Sequence, residues 1–319
     1  MLLKKEIYVD KLAGLKEEVP ADYQKVAVFG LGFVGLPLAL SFSLRGCNVT
    51  GVDVLAELAD ELNRGITNHL ESFHNIGIRE ILQSKFMDDT FRATTNPMTA
   101  LDTCNNFIVT VGIPVKDGKH DMSHLEAVCK TIANGLKRGD TVVIRGTMIP
   151  GTTEEFILPL LEESGYKAGT DFYLAYASER IAEGRAFEEF ENMPSLVAGI
   201  NEKSALRAKR LLGIVTKAPI HIASCIKVVE TAKVMENVQR DVNIAMSQEF
   251  ARFCEGLGID VFEVIELANT HKRVNLLYPG PGVGGYCLPN AMYYLKPKAE
   301  ELGVSIDLLK TARKINDDV

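Results

Sequence analysis

A cysteine lies inside a glycine-rich segment near the C-terminus, and its setting favours a reactive thiol. The segment reads PGPGVGGYCLPNAMYYL and places Cys287 shortly after Gly284 and Gly285. Glycines let the backbone come close to a ligand, as loops that hold substrates require. A thiol held in this way can act as a nucleophile. The alternative is a tight turn around a buried cysteine, since free cysteines are mostly small buried hydrophobes.

A second group of polar residues lies along a long helical pattern from about Ile226 to Glu255. Its members share one arc of roughly a hundred degrees around the predicted helix. They are Glu230, Lys233, Asn237, Asp241 and Gln248. Because much of the remaining circumference is apolar, the helix is expected to be well covered and part of this arc to line a cleft. A solvated polar face is the alternative.

The sequence GLGFVG predicts a dinucleotide-binding turn, because it follows the strand pattern KVAVF and precedes an apolar helix. Gly30 permits a tight turn, Gly32 lets the backbone approach a pyrophosphate, and Gly35 permits close packing of the helix on the strand. Phe33 and Val34 complete the turn. The helix N-terminus adds free N–H groups and the positive end of a dipole, which favour a phosphate.

An acidic residue at the end of the second predicted strand indicates which nucleotide this turn binds. Asp53 ends the second predicted strand, eighteen residues after Gly35. A carboxylate here accepts hydrogen bonds from ribose hydroxyls and repels a 2′-phosphate, so NAD is favoured over NADP. S-adenosylmethionine is the alternative cofactor, because it uses the same acid and a similar glycine turn.

Alternating apolar runs and helical patterns predict an α/β fold, with a doubly wound parallel sheet (Rossmann) domain followed by a mainly helical domain. The predicted strands are KVAVF, NVTGVD, NFIVTV, DTVVIRG, FYLAY, SLVAGI and APIHIA. Strand patterns stop near residue 223. The predicted domains are therefore a charged extension over 1–20, a dinucleotide-binding domain over 21–222 and a helical domain over 223–319, with the ligand at the carboxyl ends of the strands.

Composition excludes several classes of protein. The 319 residues are 46% hydrophobic and 24% charged, which is enough for two cores. A net charge of -7 argues against a nucleic-acid surface, and no apolar stretch reaches the roughly 18 residues of a membrane helix. A small-molecule partner is expected. The six cysteines lie far apart without metal-site spacing, which predicts reduced thiols, no metal and a cytoplasmic protein.

Several segments resemble the nucleotide-sugar 6-dehydrogenases, the UDP-glucose/GDP-mannose dehydrogenase family, which oxidise UDP-glucose, GDP-mannose or UDP-N-acetylmannosamine to uronic acids. In the family's order, these segments are KVAVFGLGFVGLPLAL, VIRGTMIPGTT, YASERIAEG, ETAKVMENVQRDVNIAMSQE, HKRVNLLYPGPGVGGYCLP and LLKTARKIND. The PGPGVGG form is most similar to the UDP-N-acetylmannosamine branch. The resemblance implies NAD-dependent oxidation of a sugar-nucleotide alcohol, and a homodimer that forms through the long helix.

The resemblance also implies catalytic roles for matching positions. Cys287 would trap the aldehyde from a first hydride transfer as a thiohemiacetal, which a second NAD oxidises to a thioester. Lys233 and Asn237 would stabilise the developing oxyanion or polarise a bridging water. Glu179 would activate the water that hydrolyses the thioester, and Thr147 would lie by the nicotinamide or the reaction centre. The alternatives are a helix-capping threonine and a solvated loop acid.

On the substrate side, the resemblance implies that Glu183 contacts the sugar and that Gly284 and Gly285 line the site. Arg273 would reach a substrate phosphate, in relatives often across a dimer contact. Surface charge is the alternative for both charged residues. The segment VTVGIP (109–114) stands where relatives often carry a threonine-proline pair, so cofactor contacts there are expected to differ.

Two departures from the family pattern leave the reaction open. Ala291 stands where relatives carry an aspartate that helps to organise proton transfer, so either two- or four-electron oxidation is expected. Relatives also continue with an α/β domain of roughly a hundred residues, whereas this sequence ends at Val319. A two-domain form without the usual UDP anchor is expected, and a truncated chain is the alternative. A group-transfer enzyme using S-adenosylmethionine and a non-catalytic ligand-binding paralogue are the alternative functions.

Overall fold

The computed structural model describes residues 15–16 and 18–319, without the side chains of Phe86 and Met87. Most of the predicted charged extension over 1–20 lies outside the described residues.

The chain divides into two compact units. The first comprises the chain up to Ile113 with Met122–Thr147 and Gly151–Val229, and the second comprises Pro114–Asp121, Met148–Pro150 and Glu230–Val319. The domain limits given by the sequence stay predictions.

The described strands are numbered in chain order. They are β1 (Lys25–Phe29), β2 (Asn48–Val52), β3 (Ser72–Phe73), β4 (Ile76–Gly77), β5 (Phe91–Thr94), β6 (Asn106–Val109), β7 (Val115–Lys116), β8 (Lys119–His120), β9 (Thr141–Ile144), β10 (Tyr173–Ala177), β11 (Ser195–Gly199) and β12 (Ile220–Ile222). Eight of them form one sheet of order β12-β11-β10-β9-β6-β1-β2-β5. The strand order reverses between β1 and β6, which makes this the switch point of a doubly wound sheet.

Neighbouring strands of this sheet are parallel except for β10 and β11. The predicted fold class is therefore confirmed, with one antiparallel pair that the sequence did not reveal. Strand β1 is apolar and almost wholly buried, as a central strand covered on both faces must be. The sequence also missed β5, whose residues FRAT alternate between buried and less buried positions at the edge of the sheet.

Helices connect these strands and make up most of the second unit. They are Gly35–Leu44, Ala56–Asn63, Ile78–Met87, Pro97–Thr103, Ser123–Gly135, Leu158–Glu162, Ala186–Asn192, Glu202–Leu212, Ile226–Leu257, Val261–Ala268, Cys287–Glu301 and Asp307–Asp317. A π-helical turn over Thr153–Ile157 precedes the Leu158–Glu162 helix. Within the described residues, no helix combines the length and the apolar character needed to cross a membrane.

The long helix, Ile226–Leu257, covers its polar arc and exposes part of its apolar surface. All five polar residues of the arc are buried, Glu230 completely. Met235, Phe253 and Leu257 are by contrast more than half exposed. The Asp307–Asp317 helix is joined to the second half of the long helix, because Arg313 Nη1 donates to Asp241 Oδ1 at 2.5 Å. The alternative of a solvated polar face is therefore wrong, whereas the expectation that part of the arc lines a cleft stays a prediction.

Candidate active site

The glycine turn after β1 has one glycine for conformation and another for packing. Gly30 has φ 91°, in the left-handed region that favours glycine. A Cβ on Gly35 would lie 1.8 Å from the carbonyl oxygen of Gly30, so no larger residue fits between turn and helix. A Cβ on Gly32 would meet nothing within 4 Å, so this part of the turn faces open space.

Thr110 holds the turn from the neighbouring strand. Its hydroxyl lies 3.0 Å from the carbonyl oxygen of Phe29 and 2.8 Å from that of Gly30, and it donates to this pair of acceptors. Thr110 follows β6, on the other side of the switch point. Sequence reasoning could not reveal this contact, because it depends on which strands are neighbours.

Asp53 is oriented by two backbone donors. The N–H of Leu31 donates to Oδ2 at 2.8 Å, and the N–H of Leu55 donates to Oδ1 at 3.1 Å. The side chain is half-buried, and it lines a pocket of about 310 Å³ within the first unit. The pocket lining also includes Val54, Thr95, Pro97, Val111 and His124. Sequence reasoning indicated only the segment 109–114, to which Val111 belongs, and missed the other residues because they come from separate parts of the chain.

The residues around the turn fit a dinucleotide. No side chain caps the N-terminus of the Gly35–Leu44 helix, and no acid lies in its first turn. Helix N–H groups and dipole are therefore available to a phosphate, while the open position at Gly32 gives it room to approach. Asp53 fits a ribose, as a hydrogen-bond acceptor for its hydroxyls. The adjoining pocket fits a nucleobase, since ligand pockets start at roughly 300 Å³.

The other two residues of the turn have different surroundings. Phe33 is 60% exposed, and its ring centroid lies 5.3 Å from that of His69. Val34 packs against the core.

Burial lowers the pKa of His69, and the nearby charges of Glu71 and Glu183 partly offset this effect. The predicted substrate residue Glu183 is itself exposed.

Glu179 is buried in an ion pair. Its Oε2 accepts from Arg145 Nε at 2.8 Å, and its Oε1 accepts from the N–H groups of Arg180 and Ile181 at 2.7 and 2.9 Å. A carboxylate offers about four lone-pair sites, so these three donors leave one for a water. The Glu179 carboxylate therefore holds the backbone of its own loop at Arg180 and Ile181, independently of any catalytic role.

Thr147 is half-buried and follows β9. The alternative that it caps the next helix is wrong, because the turn Thr153–Ile157 has Thr152 at its N-cap and no side-chain cap.

In the second unit, the predicted oxyanion residues are neighbours on the long helix. Lys233 Nζ donates to Asn237 Oδ1 at 3.3 Å, and both side chains are buried. Further along this helix, Gln248 Nε2 donates to the carbonyl oxygen of Gly280 at 2.7 Å. The long helix is thereby joined to the start of the glycine-rich segment that contains Cys287.

Cys287 is the first residue of the helix Cys287–Glu301. Tyr286 occupies the N-cap position, and no side-chain hydrogen bond caps the helix. Among the six cysteines, all of them free thiols in described residues, Cys287 is the exposed one. The alternative of a buried cysteine is therefore wrong. The thiol lies at a helix N-terminus, where N–H groups and dipole favour negative charge on sulfur.

The remaining predicted substrate residues are exposed. Gly284 and Gly285 precede the cysteine, and a Cβ at either would meet nothing within 4 Å. Arg273 has an exposed side chain, and its backbone N–H donates to His271 Nδ1 at 3.3 Å. Within the described part of the chain, no cluster of three or more His, Cys, Asp or Glu residues could hold a metal ion.

A glycine turn at the switch point of a doubly wound sheet, with an oriented acid after the next strand, defines a dinucleotide-binding protein of the Rossmann type. The chain belongs to the UDP-glucose/GDP-mannose dehydrogenase family: residues 24–216 match its NAD binding domain and residues 227–318 its central domain. The protein is accordingly an NAD-dependent dehydrogenase of the nucleotide-sugar dehydrogenase family. The match does not support the alternative of S-adenosylmethionine as cofactor.

The chain is similar to several known members of this family. The UDP-N-acetyl-D-mannosamine dehydrogenase of Pyrococcus horikoshii is 38% identical over 92% of this chain and 68% of its own length. The UDP-N-acetyl-D-glucosamine 6-dehydrogenase of Pseudomonas aeruginosa is 36% identical over 92% of this chain and 67% of its own. The solved structure of the Pyrococcus horikoshii enzyme superposes with a TM-score of 0.85, at 37% identity over 92% of this chain and 68% of that one.

Proposed function

We propose that this protein oxidises the primary alcohol of a nucleotide sugar to a carboxylate, through intermediates bound covalently to Cys287. The observation that carries the proposal is the exposed thiol at the first position of a helix, directly after the two open glycines. Two similar proteins are named for UDP-linked N-acetylhexosamines, which supports a 2-acetamido sugar as substrate.

The first unit is proposed to hold NAD. The N-terminus of the Gly35–Leu44 helix would hold the pyrophosphate, and Asp53 would accept from the adenosine ribose. When bound, NAD supplies the hydride acceptor for both oxidation steps. The chain's own contribution here is to orient the cofactor and to present backbone N–H groups.

The second unit is proposed to supply the nucleophile. Loss of a hydride and a proton converts the alcohol to an aldehyde, and the Cys287 sulfur adds to its carbonyl carbon while the oxygen takes up a proton. Loss of a second hydride and a proton from this thiohemiacetal gives a thioester. Water then adds, the C–S bond breaks, and the carboxylate leaves with the thiol restored.

Lys233 and Asn237 are proposed to stabilise the oxyanion in the addition steps. The ammonium and the side-chain amide lie one helical turn apart, and the hydrogen bond from Lys233 to Asn237 Oδ1 leaves the amide N–H₂ able to donate to an oxygen. The proposed water-activating role of Glu179 uses the single lone-pair site that its three donors leave. Ala291 offers neither a charge nor a proton acceptor.

Product counting tests this function. The full chain is incubated with NAD and UDP-N-acetyl-D-mannosamine, UDP-N-acetyl-D-glucosamine or UDP-glucose, and NADH and uronic acid are measured. We expect two NADH for each acetamido sugar consumed. Cys287→Ala should release at most one and lower the overall rate at least about a thousandfold. Cys225→Ala, at a half-buried thiol in the first unit, is the matched control.

Two results would contradict the proposal. Two NADH per sugar from Cys287→Ala would exclude covalent catalysis by this thiol. No NADH from either acetamido sugar with the unmodified chain would exclude that substrate class.

A homodimer is proposed from the exposed apolar side chains at the end of the long helix and on the helix that follows. These are Phe250, Phe253, Leu257, Ile259, Phe262 and Leu267. Contiguous exposed apolar surface is typical of protein interfaces. Light scattering of the purified chain should give twice the monomer mass, and Phe253→Glu should reduce it to the monomer. The cytoplasmic location remains a prediction from the unpaired cysteines.

A further inference from the structure

One stripe of the Cys287–Glu301 helix joins the exposed thiol to a buried phenol. Cys287, Ala291 and Tyr294 are four and three residues apart, so they share one face of the helix. Ala291 is 2% exposed and Tyr294 is 3% exposed. The small alanine side chain therefore lies between the nucleophile and a large buried aromatic residue.

The residue before the cysteine is linked to another segment of the chain. The hydroxyl oxygen of Tyr286 accepts from the backbone N–H of Val115, at 2.6 Å. Val115 begins the hairpin formed by β7 and β8, which belongs to the second unit. The start of the helix is thus attached to a different segment of chain through one side-chain hydroxyl.

The same hairpin lies along the next turn of the helix. The His120 and Tyr294 rings are 5.6 Å apart in an edge-to-face arrangement. A Cβ on Gly118 would lie 3.1 Å from the ring of Tyr293, so the turn of the hairpin rests on that ring. These contacts keep the phenol of Tyr294 covered and hold the hairpin in place to present the Val115 N–H.

The first turn of this helix needs such an attachment. Its first N–H groups have no intrahelical acceptor, and it has no side-chain cap. It also follows Gly284 and Gly285, which restrict the backbone little. Asn290 Nδ2 donates to the carbonyl oxygen of Tyr286 at 2.8 Å, which holds the same residue from within the helix. Tyr286 is consequently the point at which the flexible segment becomes fixed.

We propose that Tyr286 is a positioning residue for Cys287: its hydroxyl, held by the Val115 N–H, fixes the first helical turn and keeps the thiol at the helix N-terminus. The inference rests on the proposed role of Cys287 as nucleophile.

Hydroxyl deletions test the proposal, because phenylalanine keeps each ring. Tyr286→Phe is compared with Tyr293→Phe, a matched control on the same helix. The rate of Cys287 alkylation by iodoacetamide is measured in the folded protein, together with kcat and KM for sugar and NAD. We expect kcat and the alkylation rate to fall about threefold to tenfold in Tyr286→Phe, the effect of about one hydrogen bond, with KM for NAD unchanged.

A Tyr286→Phe variant that alkylates and turns over like Tyr293→Phe would overturn the proposal. Alkylation needs no substrate, so a failure of the proposed sugar oxidation would leave the alkylation pattern intact and be recognised separately.

Discussion

Burial divides the thiols of this chain into two kinds. It raises the pKa of Cys47 and of Cys129 to about 12. Burial also raises the pKa of Cys104, although hydrogen bonds with Thr103 and Thr50 oppose it. A thiol reacts as its anion, so these three stay protonated and inert at neutral pH. Cys287 differs from them in being exposed and in lying at a helix N-terminus.

Selective alkylation is the first prediction at the residue scale. With limiting iodoacetamide at about pH 7.5, we expect Cys287 to be modified first, while Cys47 and Cys129 react only after unfolding in urea. Their folded pKa values leave less than about one thiol in ten thousand ionised at that pH. Peptide mass spectrometry after digestion identifies the modified positions. Modification of Cys47 in the folded protein at a similar rate would contradict the argument.

The second residue-scale prediction concerns Glu179 and Arg145, whose side chains are 8% and 3% exposed. Glu179→Gln leaves a buried guanidinium without its charge partner and should lower the free energy of unfolding by about 3 to 5 kcal/mol. Arg145→Gln/Glu179→Gln removes both charges and should recover part of that loss. Urea denaturation at neutral pH measures both effects.

This pair of variants also separates structure from catalysis. If Glu179 activates water, the stable double variant should still accumulate a thioester on Cys287, which intact-protein mass spectrometry detects. A double variant that is stable and turns over normally would show that Glu179 acts only in the ion pair.

At the element scale, the glycine turn gives different roles to residues that look alike in the sequence. Gly35→Ala places a methyl group 1.8 Å from the Gly30 carbonyl oxygen, so strand and helix must separate. We expect a loss of stability of several kcal/mol or failure to fold, as for severe overpacking. Gly32→Ala meets no protein atom and should fold normally, yet bind NAD at least about tenfold more weakly, because the methyl group occupies the approach to the phosphate.

Calorimetric titration with NAD and thermal unfolding of both variants check this prediction. Normal NAD affinity in Gly32→Ala would mean that the pyrophosphate does not approach there.

The sequence predicted the elements with strong local signals and missed those defined by tertiary contacts. The glycine turn, Asp53 and the long helix were found because each has a characteristic spacing. The hairpin at 115–120 was overlooked although Asp117 and Gly118 have φ of 52° and 71°, as a two-residue hairpin turn requires, and Asp-Gly is its usual sequence. The antiparallel direction of β11 has no local signature at all.

The residues of the candidate site likewise divide into those that the sequence predicted and those that it did not. Cys287, Lys233 and Asn237 were identified from residue type and helical spacing, together with the family resemblance. Thr110 and the link from Tyr286 to Val115 could not be identified, because each depends on a neighbour far away in the chain. Residue identity thus indicates which groups are candidates for the chemistry, whereas tertiary contacts determine which groups hold them in place.

At the scale of the whole molecule, buried charges make stability depend on pH in opposite directions. Burial raises the pKa of Glu191, but hydrogen bonds from Lys217 and Arg45 outweigh it and leave the pKa below its usual value. Arg45 Nη2 lies 2.8 Å from Glu191 Oε1, which joins the Gly35–Leu44 and Ala186–Asn192 helices. A lowered pKa in the folded state gives stability that is present above the unfolded value of about 4.3 and is lost as pH falls below it.

Asp140 makes the stability of the folded state decrease as pH rises. It is 3% exposed, and burial raises its pKa to about 6, although the N–H and the charge of Lys137 lower it in part. In the unfolded chain its pKa is about 3.9. The folded state therefore holds this proton more tightly, and the stability from Asp140 is fully present below about pH 4 and is lost as pH rises through 6. The loss amounts to at most about 3 kcal/mol.

Asp140→Asn tests this dependence, because the amide oxygen can still accept from the Lys137 N–H and carries no charge to bury. We expect Asp140→Asn to gain about 1 to 3 kcal/mol relative to the unmodified chain on going from about pH 4.5 to about pH 7.5, as the buried carboxyl of the unmodified chain ionises. Urea denaturation at the two pH values gives the difference, with Asp102→Asn as the control at an exposed carboxylate. An equal stability difference at both pH values would show that Asp140 is already ionised at the lower one.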